Sequence, residues 1–158
     1  MKAAKMQPYK IMFNKEQKHR DTKMPNKKEV MNEIGKIASK FDDVSAVYVF
    51  GSYIDNDDFN DIDVALLISK ELNPYTSFKF EMMVARELER QIKPRFEFDV
   101  KILNHAPIEF QYEVLKKGKA VFLRDRTKNV EYESEAISNY LDFQTTAEYL
   151  NKKFLARV

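Results

Sequence analysis

The stretch Val47-Tyr48-Val49-Phe50-Gly51-Ser52-Tyr53, followed after a short acidic loop by Asp61-Ile62-Asp63-Val64, decides the fold. An apolar run ends in Gly-Ser, and a second apolar run carries two aspartates two residues apart. Side chains two apart on a strand lie on one face. With Ile62 and Val64 turned to a core, Asp61 and Asp63 therefore share the opposite face. Two such carboxylates repel one another, and one resists ionising. A divalent cation relieves that repulsion, and magnesium favours one or two carboxylates together with substrate phosphates. Gly51 lets the backbone approach a phosphate closely. A turn from Gly51 into a short helix would offer N–H groups to an anion, and the Ser52 hydroxyl adds a hydrogen bond.

Outward from this stretch the chain alternates helical and extended patterns. Val30, Ile34, Ile37, Ala38 and Phe41 recur at helical spacing, with Asn26 as N-cap. The β-rich run Val44–Phe50 and the run Asp61–Ile68 read as strands. Asn73-Pro74 breaks the chain before a second helix, for which Phe78, Met82, Ala85 and Leu88 predict one buried face, ending ahead of Pro94. Residues 95–103 alternate, with Phe96, Phe98, Val100 and Ile102 on one side and Glu97, Asp99 and Lys101 on the other. Asp99 is thus a third candidate carboxylate, provided its strand neighbours the second. Three converging carboxylates suit a two-metal phosphoryl-transfer site.

Pro107 predicts the first turn of a third helix, Gly118 its C-terminal cap, and Lys119–Leu123 a short strand. Residues 128–156, free of Pro and Gly, predict one long helix. Its Ala136, Tyr140, Phe143, Ala147, Leu150 and Phe154 form a heptad-like seam. The seam fits packing on the domain's own sheet and equally a stripe shared with a partner helix. Strands separated by helices give an α/β-type layered domain around a core sheet.

The 158 residues suit one domain with a real core. Apolar residues make up 44% and charged residues 33%, the balance of a soluble globular protein. No apolar run approaches the roughly 20 residues that span a bilayer, and no signal peptide is evident. The absence of cysteine excludes a disulfide framework and a thiolate zinc site, and fits a cytoplasmic protein. Residues 1–28 carry a net charge of +7, leaving −5 for the rest of a chain whose total is +2. Residues 1–24 therefore read as a poorly ordered basic arm, the one part with the charge to touch nucleic acid. Residues 25–158 read as the folded domain. His19 and His105 lack a second histidine at ligand spacing and are read as structural or exposed. Arg124 and Asp125 are expected in surface ion pairs, and the seven methionines are expected to fill the core.

Phe50-Gly51-Ser52-Tyr53, Asp61-Ile62-Asp63-Val64 and Phe98-Asp99-Val100 together resemble the signature of the DNA polymerase β-like nucleotidyltransferase superfamily, in its minimal nucleotidyltransferase (MNT) branch. Lys101-Ile102-Leu103-Asn104, Val114-Leu115-Lys116-Lys117-Gly118, Phe122-Leu123-Arg124-Asp125 and Tyr140-Leu141-Asp142 are similar to MntA-type antitoxins, the partners of HEPN-domain toxin RNases. The resemblance covers roughly residues 27–158. It implies an α+β nucleotidyltransferase fold with a mixed sheet of about four to five strands, flanking helices and a long C-terminal helix. It also implies transfer of AMP from ATP to a tyrosine hydroxyl of a HEPN toxin. Asp61, Asp63 and Asp99 would be the catalytic carboxylates and would hold magnesium, as two ions. Gly51 and Ser52 would bind the nucleotide.

One departure stands out. Only residues 53–60 separate Ser52 from Asp61, whereas the loop in these antitoxins is usually longer and contains Gly and Arg. Here it contains no basic residue and includes Asp55, Asp57 and Asp58, with Asn60 replacing the common Ser before the first aspartate. An antitoxin that neutralises its partner by contact alone is therefore the alternative. A nucleotidyltransferase for a small molecule or nucleic acid ranks below both.

Overall fold

The computed structural model describes residues 24–157. The basic arm lies outside these residues except for Met24. The elements run α1 (Lys27–Ala38), β1 (Val44–Phe50), α2 (Ser52–Asp55), β2 (Asp61–Ile68), α3 (Pro74–Gln91), β3 (Glu97–Ile102), α4 (Ile108–Lys117), β4 (Lys119–Leu123) and α5 (Arg126–Leu155). Four strands form one mixed sheet in the order β3-β2-β1-β4. β1 pairs antiparallel with both β2 and β4, and β2 pairs parallel with β3. The parallel pair needs a crossover, which α3 supplies. No helix among the described residues is long and apolar enough to cross a membrane.

The sheet buries both faces. On one, Val47, Val49, Ile62, Val64, Leu66, Phe98, Val100 and Ile102 meet α1 through Val30, Ile34, Ile37 and Ala38, and α3 through Val84, Ala85 and Leu88. On the other, Ala46, Tyr48, Ala65 and Leu103 meet Val114 of α4, with Phe50 edge-on to Phe110 at 5.4 Å. Polar side chains close the starts of α1, α3 and α5. Asn26 accepts from Lys28 N (3.1 Å), Asn73 from Thr76 N (2.8 Å) and Asp125 from Lys128 N (3.2 Å). From α3, the Glu81 carboxylate accepts from Ile102 N at 2.9 Å and Glu89 from Phe98 N at 3.5 Å, so two N–H groups of the edge strand β3 end on glutamates.

Three sequence expectations are corrected, and a fourth, the Gly118 cap, holds for a different reason. The buried face of α3 is set by Val84, Ala85 and Leu88, with Phe80 against Phe41, while Phe78 and Met82 are exposed. Two apolar series at helical spacing compete on this helix, and the one centred on Val84 and Leu88 meets the sheet. Among the described residues Arg124 makes no ion pair. Its guanidinium donates to the carbonyls of Val44 (2.9 Å), Ser39 (2.8 Å) and Phe41 (3.2 Å), tying the end of β4 to the α1–β1 turn, and Asp125 is the N-cap of α5. Gly118 ends α4 with φ −73°, outside the left-handed region that usually selects glycine there. Closeness selects it instead, since a Cβ would lie 2.5 Å from Val114 O and 3.2 Å from Val49 O. Of the methionines described, Met31 packs on the core, whereas Met24, Met82 and Met83 are exposed.

The α5 seam divides. Ala136 is buried, and Tyr140 stacks on Tyr112 at 3.8 Å. Tyr48 donates to Glu133 Oε1 at 2.7 Å and lies 3.0 Å from Asn129 Oδ1, and the Asn129 amide donates to the same carboxylate at 2.9 Å. Beyond Tyr140, Phe143, Leu150 and Phe154 are exposed.

Candidate active site

The alternation of β2 does what its sequence demands. Ile62 and Val64 are fully buried, and Asp61 and Asp63 are half-buried on the other face. β3 repeats the pattern, with Phe98, Val100 and Ile102 inward and Glu97, Asp99 and Lys101 outward. Parallel pairing sets Asp63 opposite Asp99, Asp61 opposite Glu97 and Ala65 opposite Lys101. One carboxylate oxygen from each of Asp61, Asp63 and Asp99 lies within 4.8 Å of the other two. The three aspartates singled out in the sequence therefore meet in one cluster.

Its electrostatics are those of a site that wants a cation. The Asp63 carboxyl is pushed up from 3.8 to about 6, first by burial and then by the charges of Asp61 and Asp99. Lys101 Nζ stands 3.4 Å from Asp99 Oδ1, a half-exposed pair that balances only part of the negative charge. An all-oxygen donor set with an uncompensated charge fits magnesium and is wrong for a thiophilic metal.

Gly51 brings the other half of the site into contact with this one. It has φ +75°, a conformation that L side chains rarely adopt. A Cβ here would sit 2.2 Å from Asp63 Oδ2. The space where a side chain would stand is thus filled by the carboxylate. Gly51 opens the four-residue helix α2, and Ser52 is its first residue, at the end of β1 where Phe50 pairs with Asp63. The first N–H groups of a helix have no partner within it. Gly51 thus stands against Asp63, with Ser52 next to it in the chain.

One neighbour was not legible in the sequence. The loop of residues 53–60 contains no basic side chain of its own, yet Lys27, the first residue of α1, reaches it: Nζ donates to Asn56 O at 2.5 Å. Nothing in the pattern around Lys27 points there, because the contact spans 29 residues. His105, read as uninvolved, is exposed. A hollow of about 380 Å³, lined by Ser45, Ser69, Asn104, Arg124 and Tyr132 among others, lies at the far end of the sheet from the carboxylates.

The mixed sheet thus carries three clustered acids beside a Gly-Ser turn. The family described as Polymerase beta, Nucleotidyltransferase matches residues 32–127, and the chain belongs to it. No curated protein matches the chain. Among solved structures, the fold is similar to that of a tri-AMPylated Shewanella oneidensis HEPN toxin in complex with MNT antitoxin, with a TM-score of 0.61 and 19% identity over 82% of this chain and 99% of the other. It is also similar to the toxin–antitoxin MntA–HepT, with TM-score 0.59 and 19% identity over 81% and 98%. A third likeness is to a toxin–antitoxin with AMP-PNP, with TM-score 0.61 and 19% identity over 80% and 98%. At these identities the likeness establishes the fold.

Proposed function

We propose that the chain is the antitoxin of a HEPN/MNT pair and transfers AMP from ATP to a tyrosine hydroxyl of its partner toxin. The observation that carries the reading is the meeting of Asp61, Asp63 and Asp99 against the Gly51 turn in a member of this family. The relatives of similar fold, one with an AMPylated HEPN toxin and one with AMP-PNP, support the acceptor and the nucleotide.

Asp61, Asp63 and Asp99 would hold magnesium, which supplies charge neutralisation for attacking and leaving oxygens when bound. Gly51 and Ser52 hold the β- and γ-phosphates through backbone N–H groups and the Ser52 hydroxyl. The tyrosine oxygen attacks the α-phosphorus, its proton passes to the Asp99 carboxylate, and the bond to the bridging oxygen breaks to release pyrophosphate. The side chain of Asp99 is 48% exposed, so the acceptor approaches over an open surface, as a protein side chain must. Residues 25–158 form the nucleotidyltransferase domain in this reading. The basic arm before it is accessory, and the place of action is the cytoplasm.

Asp61→Asn with Asp63→Asn abolishes transfer of labelled AMP to the co-purified toxin and leaves the circular dichroism of the fold unchanged. Full transfer by that double variant would sink the assignment. The acidic loop with Asp55, Asp57 and Asp58 favours a second reading, neutralisation by contact alone. Mass spectrometry of the co-expressed partner separates the two. An added AMP mass supports the enzyme, and a tight complex without added mass supports the binder.

A further inference from the structure

The loop that departs from the family pattern is short and acidic, and it joins the Gly51-Ser52 turn to Asp61. One cation from a distant helix reaches it. Lys27 has a side chain only 33% exposed although it opens α1. Its ammonium donates to the carbonyl of Asn56, the residue that ends α2 and whose own N–H bonds to Ser52 O at 2.8 Å. It lies 5.2 Å from the centroid of the Tyr53 ring and 5.9 Å from that of Phe59. The two rings meet edge to face at 4.6 Å. Phe59 continues to Phe96 at 6.0 Å, and Phe96 to Phe98 at 6.5 Å, next in sequence to Asp99. Asp57 Oδ1 is 3.6 Å away, but the Asp57 side chain is fully exposed, so water screens that pair.

We propose that Lys27 is a positioning residue for the nucleotide, fixing the span between the phosphate-holding turn and the first metal-binding aspartate. It clamps one end of the loop at Tyr53 and Asn56, beside Ser52, and the other at Phe59, two residues before Asp61. A cation over two aromatic rings and on a helix-end carbonyl has three attractions where one on a surface carboxylate has one. α1 is anchored independently by Val30, Ile34, Ile37 and Ala38, so the fold does not depend on this ammonium. The inference rests on the nucleotidyltransferase reading for what the clamp serves, but the clamp itself is testable without it.

Lys27→Met keeps the aliphatic stem and removes the charge. In the full chain without nucleotide, hydrogen exchange at the Ile54, Asp55 and Asn56 amides accelerates about tenfold in this variant, while the α1 amides are unaffected. With Mg-ATP and the co-purified toxin, KM for ATP rises about tenfold and kcat changes less than about threefold. Lys27→Arg restores both readouts, and Asp57→Asn matches the parent in both. Unchanged exchange in Lys27→Met overturns the proposal, as does failure of Lys27→Arg to rescue. So does a kcat loss that exceeds the rise in KM. If the parent chain transfers no AMP, the functional reading falls, and the exchange comparison alone decides whether Lys27 clamps the loop.

Discussion

A Cβ at Gly51 would take the space that the Asp63 carboxylate fills. Gly51→Ala forces a Cβ into the Asp63 carboxylate and strains a backbone held at φ +75°. The expected loss is about 1–3 kcal/mol of stability from the strained backbone alone, read as a lowered urea midpoint. Magnesium affinity falls with it, because Asp63 must turn away. Asp63 also sets a pH dependence. Its folded-state value of about 6 lies above the usual 3.8, so the folded chain holds this proton more tightly than the unfolded one. That contribution to stability of the metal-free protein is complete below about pH 4 and is lost as pH rises through about 6. Metal binding runs the other way, since a proton competes for the same oxygens. Calorimetric titration gives about tenfold tighter magnesium binding at pH 7 than at pH 5, and an affinity independent of pH over that range would contradict it. Asp63 was legible in the sequence because strand alternation fixes its face, and Gly51 because a Gly-Ser pair ends the apolar run before it. Their mutual contact was not, because it depends on how the turn after β1 folds back over β2.

At the scale of elements, Tyr48 joins the central strand to the long helix through Glu133 and Asn129. Tyr48→Phe leaves the buried Asn129 and the partly buried Glu133 without that hydroxyl. It lowers stability by about 1–3 kcal/mol in denaturant unfolding while the secondary structure is unchanged. Loss of nothing measurable would mean that the other contacts of α5, among them Ala136, the Tyr112–Tyr140 stack and the Tyr132–Gln111 hydrogen bond, suffice to hold it. Strands β1, β2 and β4 follow the sequence to the residue, because short β-branched runs bounded by turns leave little choice of register. The face of α3 did not follow, because its apolar residues offer two helical stripes and only the sheet selects between them. Arg124 escaped for a similar reason: its partners are backbone carbonyls around Ser39–Val44, invisible to charge pairing.

The molecule as a whole is a two-faced sheet from which the end of α5 projects. Thirty residues of helix run about 45 Å at the usual rise of 1.5 Å per residue. Among the described residues, its buried side chains Asn129 and Ala136 and the stacked Tyr140 lie in the first half. Ending the chain after residue 144 leaves the thermal midpoint of the remaining domain within about 2 °C, since the removed side chains bury little surface. A larger drop in scanning calorimetry would show that the exposed stripe packs on the domain after all. The seam pattern was readable in the sequence. Which half of it the domain uses was not, because the heptad spacing continues unbroken past Tyr140 into Phe143, Leu150 and Phe154, which are exposed. The glutamates of α3 that receive N–H groups of β3 have a consequence at this scale too. An unguarded outer strand is a template on which another chain can add, and that is a common route to aggregation and swapping. With Glu81 and Glu89 already holding two of its donors, β3 is a poor template for strand addition. A molecule meeting this side of the protein must therefore read side chains, the carboxylates among them, rather than extend the ladder.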